Sequence, residues 1–379
     1  MTSLSANRPT RANVDLDALM FNYRSVREFV GVDVGFMAVV KADAYGHGVV
    51  ECARRLEAEG VDWFGVATVE EGVELREAHI SKPILVLGSF WPGQEFTLLN
   101  LDLTPVIFRL DQAQLIAKAA EQQGSVAHVH IKIDTGMGRI GVRLDEVSAF
   151  AAELSAVASL EVEGLMTHFA VADDLSATDF TNHQIASFEE TVEIFHAHGH
   201  RPRYIDLANS PGAVVHPLSR SKMVRIGGLL YGLGGDVLPG GVPHPDLKPV
   251  MSITSKIAQI KTVRAGESVG YGRTYIADRD TVVATVPIGY HDGLPRAISN
   301  KGHFLVKGLR VRIIGRVSMD WTTIDVTEIT DVAVGDDVTM IGASGDDIIR
   351  AEDLAAIAET ISYEITCGIS QRIPRYYKI

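Results

Sequence analysis

The chain has 379 residues, 46% of them apolar, with a formal net charge of −13 and two cysteines, Cys52 and Cys367. That length exceeds one ordinary compact domain and implies two, or one barrel with an addition. The acidic balance argues against nucleic acid and anionic membranes as partners, and the cysteines are too few for a disulfide framework, which points to a reducing compartment. Residues 1–10 are polar and lack the apolar core of a secretion signal. No apolar run is long enough to span a bilayer, so a cytoplasmic protein is expected.

From about residue 12 to 235, short apolar runs alternate with amphipathic stretches. Candidate strands fall at residues 12–16, 35–40, 63–67, 83–88, 126–134, 162–168, 204–208 and 223–226. Helical patterns lie between several of them, at 49–58, 69–78, 112–120, 147–158 and 185–197. Strands alternating with helices build βαβ units on a parallel sheet. About eight such units fit an α/β fold of the (β/α)8 TIM-barrel type better than a doubly wound open sheet. The Gly- and Pro-rich run from Gly232 to Pro243 breaks this rhythm. Beyond it, segments at 251–263, 281–287, 304–306, 311–314, 322–326 and 337–341 are β-rich, with one helix near 351–360. The expected division is a barrel over residues 11–240 and a mostly β C-terminal domain over 241–379, with residues 1–10 associated with the latter.

The apolar run Phe36-Met37-Ala38-Val39-Val40 delivers one lysine, Lys41, to its far end, and Tyr45, Gly46 and Gly48 follow at once. A buried strand presents a single amine to a pocket in this way, and such an amine can form a Schiff base with pyridoxal phosphate (PLP). At 128–134, alternation places Val129, Ile131 and Ile133 on one face and His130, Lys132 and Asp134 on the other, which would line the barrel interior. Arg139 follows that strand, where a guanidinium can grip a carboxylate. Asn209-Ser210-Pro211-Gly212 offers a hydroxyl, and Gly227-Gly228 offers backbone N–H groups, at the two last strand ends where barrels bind phosphate. Gly266-Glu267-Ser268-Val269-Gly270 matches a hydrolase elbow by letter but lacks the strand–turn–helix setting. His196, His198 and His200 close a helix and have no further metal ligand at suitable spacing, so no metal is expected. Tyr271, between two glycines, reads as a hairpin tip. The turns carrying Tyr290 and Met319 share its mixture of aromatic and polar residues on glycine turns.

Taken together, these segments resemble the bacterial alanine racemases, from Asp15-Leu16-Asp17 to Arg372-Ile373-Pro374-Arg375. The resemblance implies a PLP-dependent enzyme acting as a homodimer with shared active sites and a small amino-acid substrate. Lys41 would carry PLP and serve as one base, and Tyr271 from the partner subunit would be the second. His168 and Arg225 would complete the catalytic group, with Arg225 against the pyridine nitrogen. The same pattern gives Tyr45, Ser210, Gly228 and Tyr363 to the cofactor phosphate, beside Asn209 and Gly227. It gives Arg139 and Met319 to the substrate carboxylate and Tyr290 to a small side-chain pocket. Lys132 matches a lysine that the family often carbamylates. Two positions depart from the usual pattern, Ser318 (often cysteine) and Asp206 (often histidine). The implied activity is interconversion of L- and D-alanine, supplying D-alanine for peptidoglycan. The alternatives are a serine or broader amino-acid racemase, a PLP carrier, or another barrel-type PLP enzyme.

Overall fold

The computed structural model describes residues 8–378. Ten strands precede residue 230: β1 (Arg11–Asp15), β2 (Gly35–Val39), β3 (Trp63–Val66), β4 (Ile84–Val86), β5 (Leu103–Ile107), β6 (Ala127–Asp134), β7 (Val142–Arg143), β8 (Leu160–Met166), β9 (Tyr204–Asp206) and β10 (Met223–Ile226). Eight of them form a closed parallel ring in the order β2-β3-β4-β5-β6-β8-β9-β10, with β10 pairing back onto β2 (Arg225 opposite Met37). The short β7 hangs from the end of β6. This is the (β/α)8 barrel expected from the alternation of patterns.

One stave differs from the expectation. The candidate strand at 12–16 is β1, which lies outside the barrel, antiparallel to Met251–Lys256 and parallel to Arg375–Lys378. The remaining stave is β5, whose sequence hides it. Pro105 sits inside the run, and a proline argues against a central strand because it cannot donate to the ladder. A helix over Leu16–Val30 also goes beyond the expected set; Asp15 caps it by accepting from the Ala18 N–H at 2.9 Å.

On β6 the alternation runs as expected. Val129, Ile131 and Ile133 pack outward into the core shared with the helices. His130 turns inward against Trp63 and Tyr204, with ring centroids 5.4 and 5.8 Å away. Met37, Trp63, Leu85, Val106, Met166 and Met223 form a separate apolar cluster on these same staves. The floor of the barrel is therefore a packed plug, and polar groups are left to the carboxyl ends of the strands, where loops can reach them.

The second domain is mostly β. Its main sheet runs Leu309–Arg312, His303–Val306, Asp337–Ser344, Met251–Lys256, β1 and Arg375–Lys378. A three-stranded sheet (Gln259–Val263, Thr281–Val286, Thr322–Asp325) and a hairpin (Ser268–Val269 with Tyr275–Ile276) complete it. The hairpin accounts for the elbow-like letters, since Ser268 lies in a strand and only a single 3-10 turn (Tyr271–Arg273), not an α-helix, follows. Of residues 1–10, numbers 1–7 lie outside the described residues. Arg8 pairs with the buried Asp292 at 2.7 Å, and Thr10 donates to the Pro287 carbonyl at 2.7 Å. The seam with the barrel is tied by Arg375, whose guanidinium donates twice to the Gly46 carbonyl, at 3.0 and 3.1 Å.

Candidate active site

The site begins where β2 ends. Val40 still donates to the Gly65 carbonyl of the neighbouring strand, and Lys41 then opens a single left-handed turn. Ala42, Asp43, Ala44 and Tyr45 all have φ between +52° and +55°. Each such L-residue costs about 1–2 kcal/mol, so the turn persists only because its surroundings hold it. Ala44 donates to Val40 O, and Gly48 donates to Asp43 O; the Asp43 carboxylate accepts from Val49 N–H at 2.7 Å. The Lys41 side chain is partly buried. Burial pushes its amine below the ordinary 10.5, Arg139 and Arg225 push the same way, and the Glu71 carboxylate opposes them. A lysine so placed is a better nucleophile at neutral pH than a solvated one.

Across the barrel mouth, the last two strand ends form a cradle of neutral donors. Asn209 caps the helix Ser210–Val215 by accepting from Gly212 N–H at 3.0 Å, and the buried Ser210 Oγ accepts from Gly227 N–H at 3.0 Å. A Cβ at Gly227 would stand 2.4 Å from the Tyr45 hydroxyl oxygen, and one at Gly228 would stand 2.2 Å from the Tyr363 ring. Only glycine admits those two phenols. Tyr45 and Tyr363 meet edge to face at 5.3 Å, and burial drives both hydroxyls far above the ordinary 10.0, so they remain donors at every working pH. Hydroxyls drawn up against two glycines, whose missing side chains let the phenols come this close, suit a phosphate.

Arg225, on β10, is almost fully buried. Its guanidinium donates to the carbonyls of Thr167 (2.8 Å), Asp206 (3.2 Å) and Leu207 (3.2 Å), and it sits 3.3 Å from His168 Nδ1. The Asp206 carboxylate touches Arg225 Nη1, at an angle that leaves both its oxygens without a hydrogen-bond donor among the described residues. A fully buried ion pair of this kind holds because removing either partner strands the other charge. Burial drives the His168 ring down to about 2, with Arg225 pushing further, so it is neutral and can accept from Arg225. Lys132, on β6, is buried beside this group. Burial, then Arg225, push its amine well below 10.5.

Arg139 stands exposed beyond β6, after a turn in which Asp134 accepts from the Gly136 and Gly138 N–H groups at 3.0 Å each. The residues taken from the second domain form another cluster. Tyr290 N–H donates to Ser318 O at 2.9 Å and His291 N–H to Met319 O at 3.1 Å, which locks those two turns together. Tyr271 rides the hairpin tip and is 71% exposed; Tyr290 and Met319 are 42% and 50% exposed. Among the described residues, no hydrogen bond or ring contact joins Tyr271 to the barrel cluster. His198 and His200 are occupied by Ser148 and Ser155, and no metal-binding cluster occurs among the described residues. Sequence reasoning missed Glu71, which accepts from the Ala42 and Ala67 N–H groups. The spacing Thr68-x-x-Glu71 signals a helix capping box and gives no sign of the bond to Ala42.

Comparison with known proteins gives a single answer. The model of the alanine racemase N-terminal domain matches residues 14–234, and that of the alanine racemase C-terminal domain matches residues 250–377. The alanine racemase of Geobacter sulfurreducens is 43% identical over 376 residues, covering 98% of this chain and 97% of its own. That of Halothermothrix orenii is 44% identical over 378 residues, with 98% and 97% covered. Among solved structures, the alanine racemase of Clostridium difficile 630 superposes with a TM-score of 0.92 at 35% identity (98% of this chain, 96% of that one). The alanine racemase of Bacillus anthracis with bound L-Ala-P gives 0.91 at 36% (98% and 95%).

Proposed function

The chain belongs to the alanine racemase family, isomerases acting on amino acids, and from that premise we propose that it interconverts L- and D-alanine with PLP by a two-base mechanism in a homodimer. The cradle of Tyr45, Ser210, Gly227, Gly228 and Tyr363, with Asn209 holding its helix, fits the cofactor phosphate, because a Cβ at either glycine would close it. The amine of Lys41 fits covalent attachment, and Arg225 fits the pyridine nitrogen. Bound there, the cofactor supplies an electron sink for the carbanion formed at the substrate Cα.

The residues of the chain then divide the work. Arg139 and the Met319 backbone grip the substrate carboxylate and fix the face on which each base acts. Tyr290 bounds a pocket for a small side chain. Lys41 takes or returns the α-proton on one face, and the partner subunit's Tyr271 does so on the other, which inverts the stereocentre. Arg225, whose guanidinium nitrogens only donate, would meet the pyridine nitrogen with a hydrogen bond where a carboxylate would share a proton, and so would moderate the sink. Lys132 is suited to carbamylation. Its neutral amine would add to carbon dioxide, release a proton and place the resulting anion near Arg139 and Arg225; a carbamate resonance in protein equilibrated with ¹³C-bicarbonate checks this. D-alanine made in this way would enter peptidoglycan, and the cytoplasm is the compartment proposed.

The observation that carries the dimeric, two-base reading is the exposure of Tyr271, a hydroxyl-bearing ring held out on a hairpin with no hydrogen bond or ring contact from its side chain among the described residues. The test is chiral chromatography of L-alanine incubated with protein and PLP, in which the mixture is expected to approach equal enantiomers. Because that equilibrium constant is one, kcat/KM must match in the two directions, and the bases are told apart by α-hydrogen exchange in deuterium oxide. Tyr271→Phe is expected to lower racemisation by about 10²–10⁴-fold while exchange persists from one enantiomer only. Equal loss of exchange from both would rule out the two-base assignment.

A further inference from the structure

The strained turn that carries Lys41 needs an acceptor for its first free N–H, and that acceptor comes from another strand end. Glu71 lies in the first turn of the helix Val69–Glu77, which follows β3. Its Oε1 accepts from Ala42 N–H at 2.7 Å, and its Oε2 accepts from Ala67 N–H at 2.6 Å. A glutamate at this helix position ordinarily turns back to the N-cap N–H. Here that bond, from Thr68 N–H, is the longest of the three at 3.4 Å. The capping box is kept, but the carboxylate's two shorter bonds go to the exits of two adjacent staves.

We propose that Glu71 is a positioning residue for Lys41: its carboxylate clamps the left-handed turn at Ala42 to the β3 exit at Ala67 and so fixes where the Lys41 amine stands. The proposal rests on the reading of Lys41 as attachment point and base. Ala42 follows Lys41 directly, so the clamp acts one peptide unit from the lysine Cα. Ala42 and Ala44 have methyl side chains that offer the turn no polar tie, and the other ties (Asp43 to Val49, Arg375 to Gly46) act further along it. The negative charge of Glu71 also favours the protonated form of the amine.

Glu71→Gln tests this, because glutamine keeps one acceptor oxygen for the Ala67 side and turns an NH2 donor toward the Ala42 donor. Thr68→Ala is the control, since it removes the hydroxyl that caps Glu71 N–H at 3.3 Å and leaves the clamp in place. Two readouts on the holoenzyme decide. Hydroxylamine should strip PLP from Glu71→Gln about tenfold faster than from wild type, with Thr68→Ala unchanged. Exchange from the enantiomer that survives in Tyr271→Phe, the one served by Lys41, should fall on the order of 10- to 100-fold relative to the other enantiomer, the scale of a misplaced reacting group. Equal slowing of both enantiomers with unaltered PLP release, or the same changes in Thr68→Ala, would overturn the proposal. Failure of the underlying reading looks different: wild type itself would then hold no PLP, or Tyr271→Phe would show no asymmetry, and in the latter case hydroxylamine release still decides on Glu71.

Discussion

Replacing Lys41 by alanine is expected to leave a folded chain that binds PLP without a covalent bond and racemises alanine at least about 10⁴-fold more slowly, since attachment and one proton-transfer group are lost together. Folding should survive because the Lys41 amine makes no hydrogen bond among the described residues and alanine is no worse than lysine next to the left-handed turn. Borohydride reduction followed by intact-mass measurement checks the attachment: wild type should gain the mass of reduced PLP, and Lys41→Ala should not. An added small amine should restore part of the proton transfer, because the cavity left by the side chain faces the same pocket. A retained mass increment would transfer suspicion to Lys132, the lysine buried most deeply in the barrel.

Much of this site is legible in the sequence because barrel chemistry sits at strand ends, and the strand ends announce themselves. Lys41, Arg139, His168, Ser210 and Gly227 each follow an apolar run, and period-two alternation on β6 is enough to send His130 and Lys132 inward. What is not legible falls into two kinds. The first is competition between local rules: Pro105 disguises β5, and Lys41-Ala42-Asp43-Ala44-Tyr45 reads as right-handed helix by propensity, although the chain there is left-handed. The second is long-range bonding by side chains that local rules already explain. Glu71 satisfies a capping pattern, and nothing within its own segment shows that its shorter bonds go to Ala42 and Ala67. Asp206 is similar. The sequence shows a carboxylate where a histidine is usual in the family it resembles, and only the fold shows that carboxylate fully buried against Arg225. That contact balances a charge inside the barrel, while the neutral His168 ring approaches the same guanidinium at 3.3 Å.

The buried histidines make the fold acid-labile, and His130 is the place to measure it. Burial lowers the rings of His47, His130 and His168 from 6.5 to about 4, 3 and 2; Arg225 pushes the last two further, and the Ala44 and Tyr45 carbonyls partly restore the first. In the unfolded chain each ring takes up a proton as pH falls through 6.5, whereas in the folded chain it does so only near its lowered value. The unfolded state therefore binds more protons throughout that window. The stability these rings contribute is fully present above pH 6.5 and is lost as pH falls below it, at about 1.4 kcal/mol per pH unit for each histidine and roughly 4 for the three together. Urea unfolding followed between about pH 6 and pH 5 should carry that contribution on top of those of Lys132, which has the same sign, and Asp206, which has the opposite one. His130→Leu should reduce it by one histidine's share. Neither ring nitrogen of His130 has a partner among the described residues, and the ring lies between Trp63 and Tyr204, so leucine there removes unsatisfied polar atoms from an apolar plug. Stability near neutral pH should then stay level or rise, because a buried group without hydrogen bonds costs about 1–3 kcal/mol. An unchanged slope in His130→Leu would mean that the ring reaches water in solution and that the barrel floor is open.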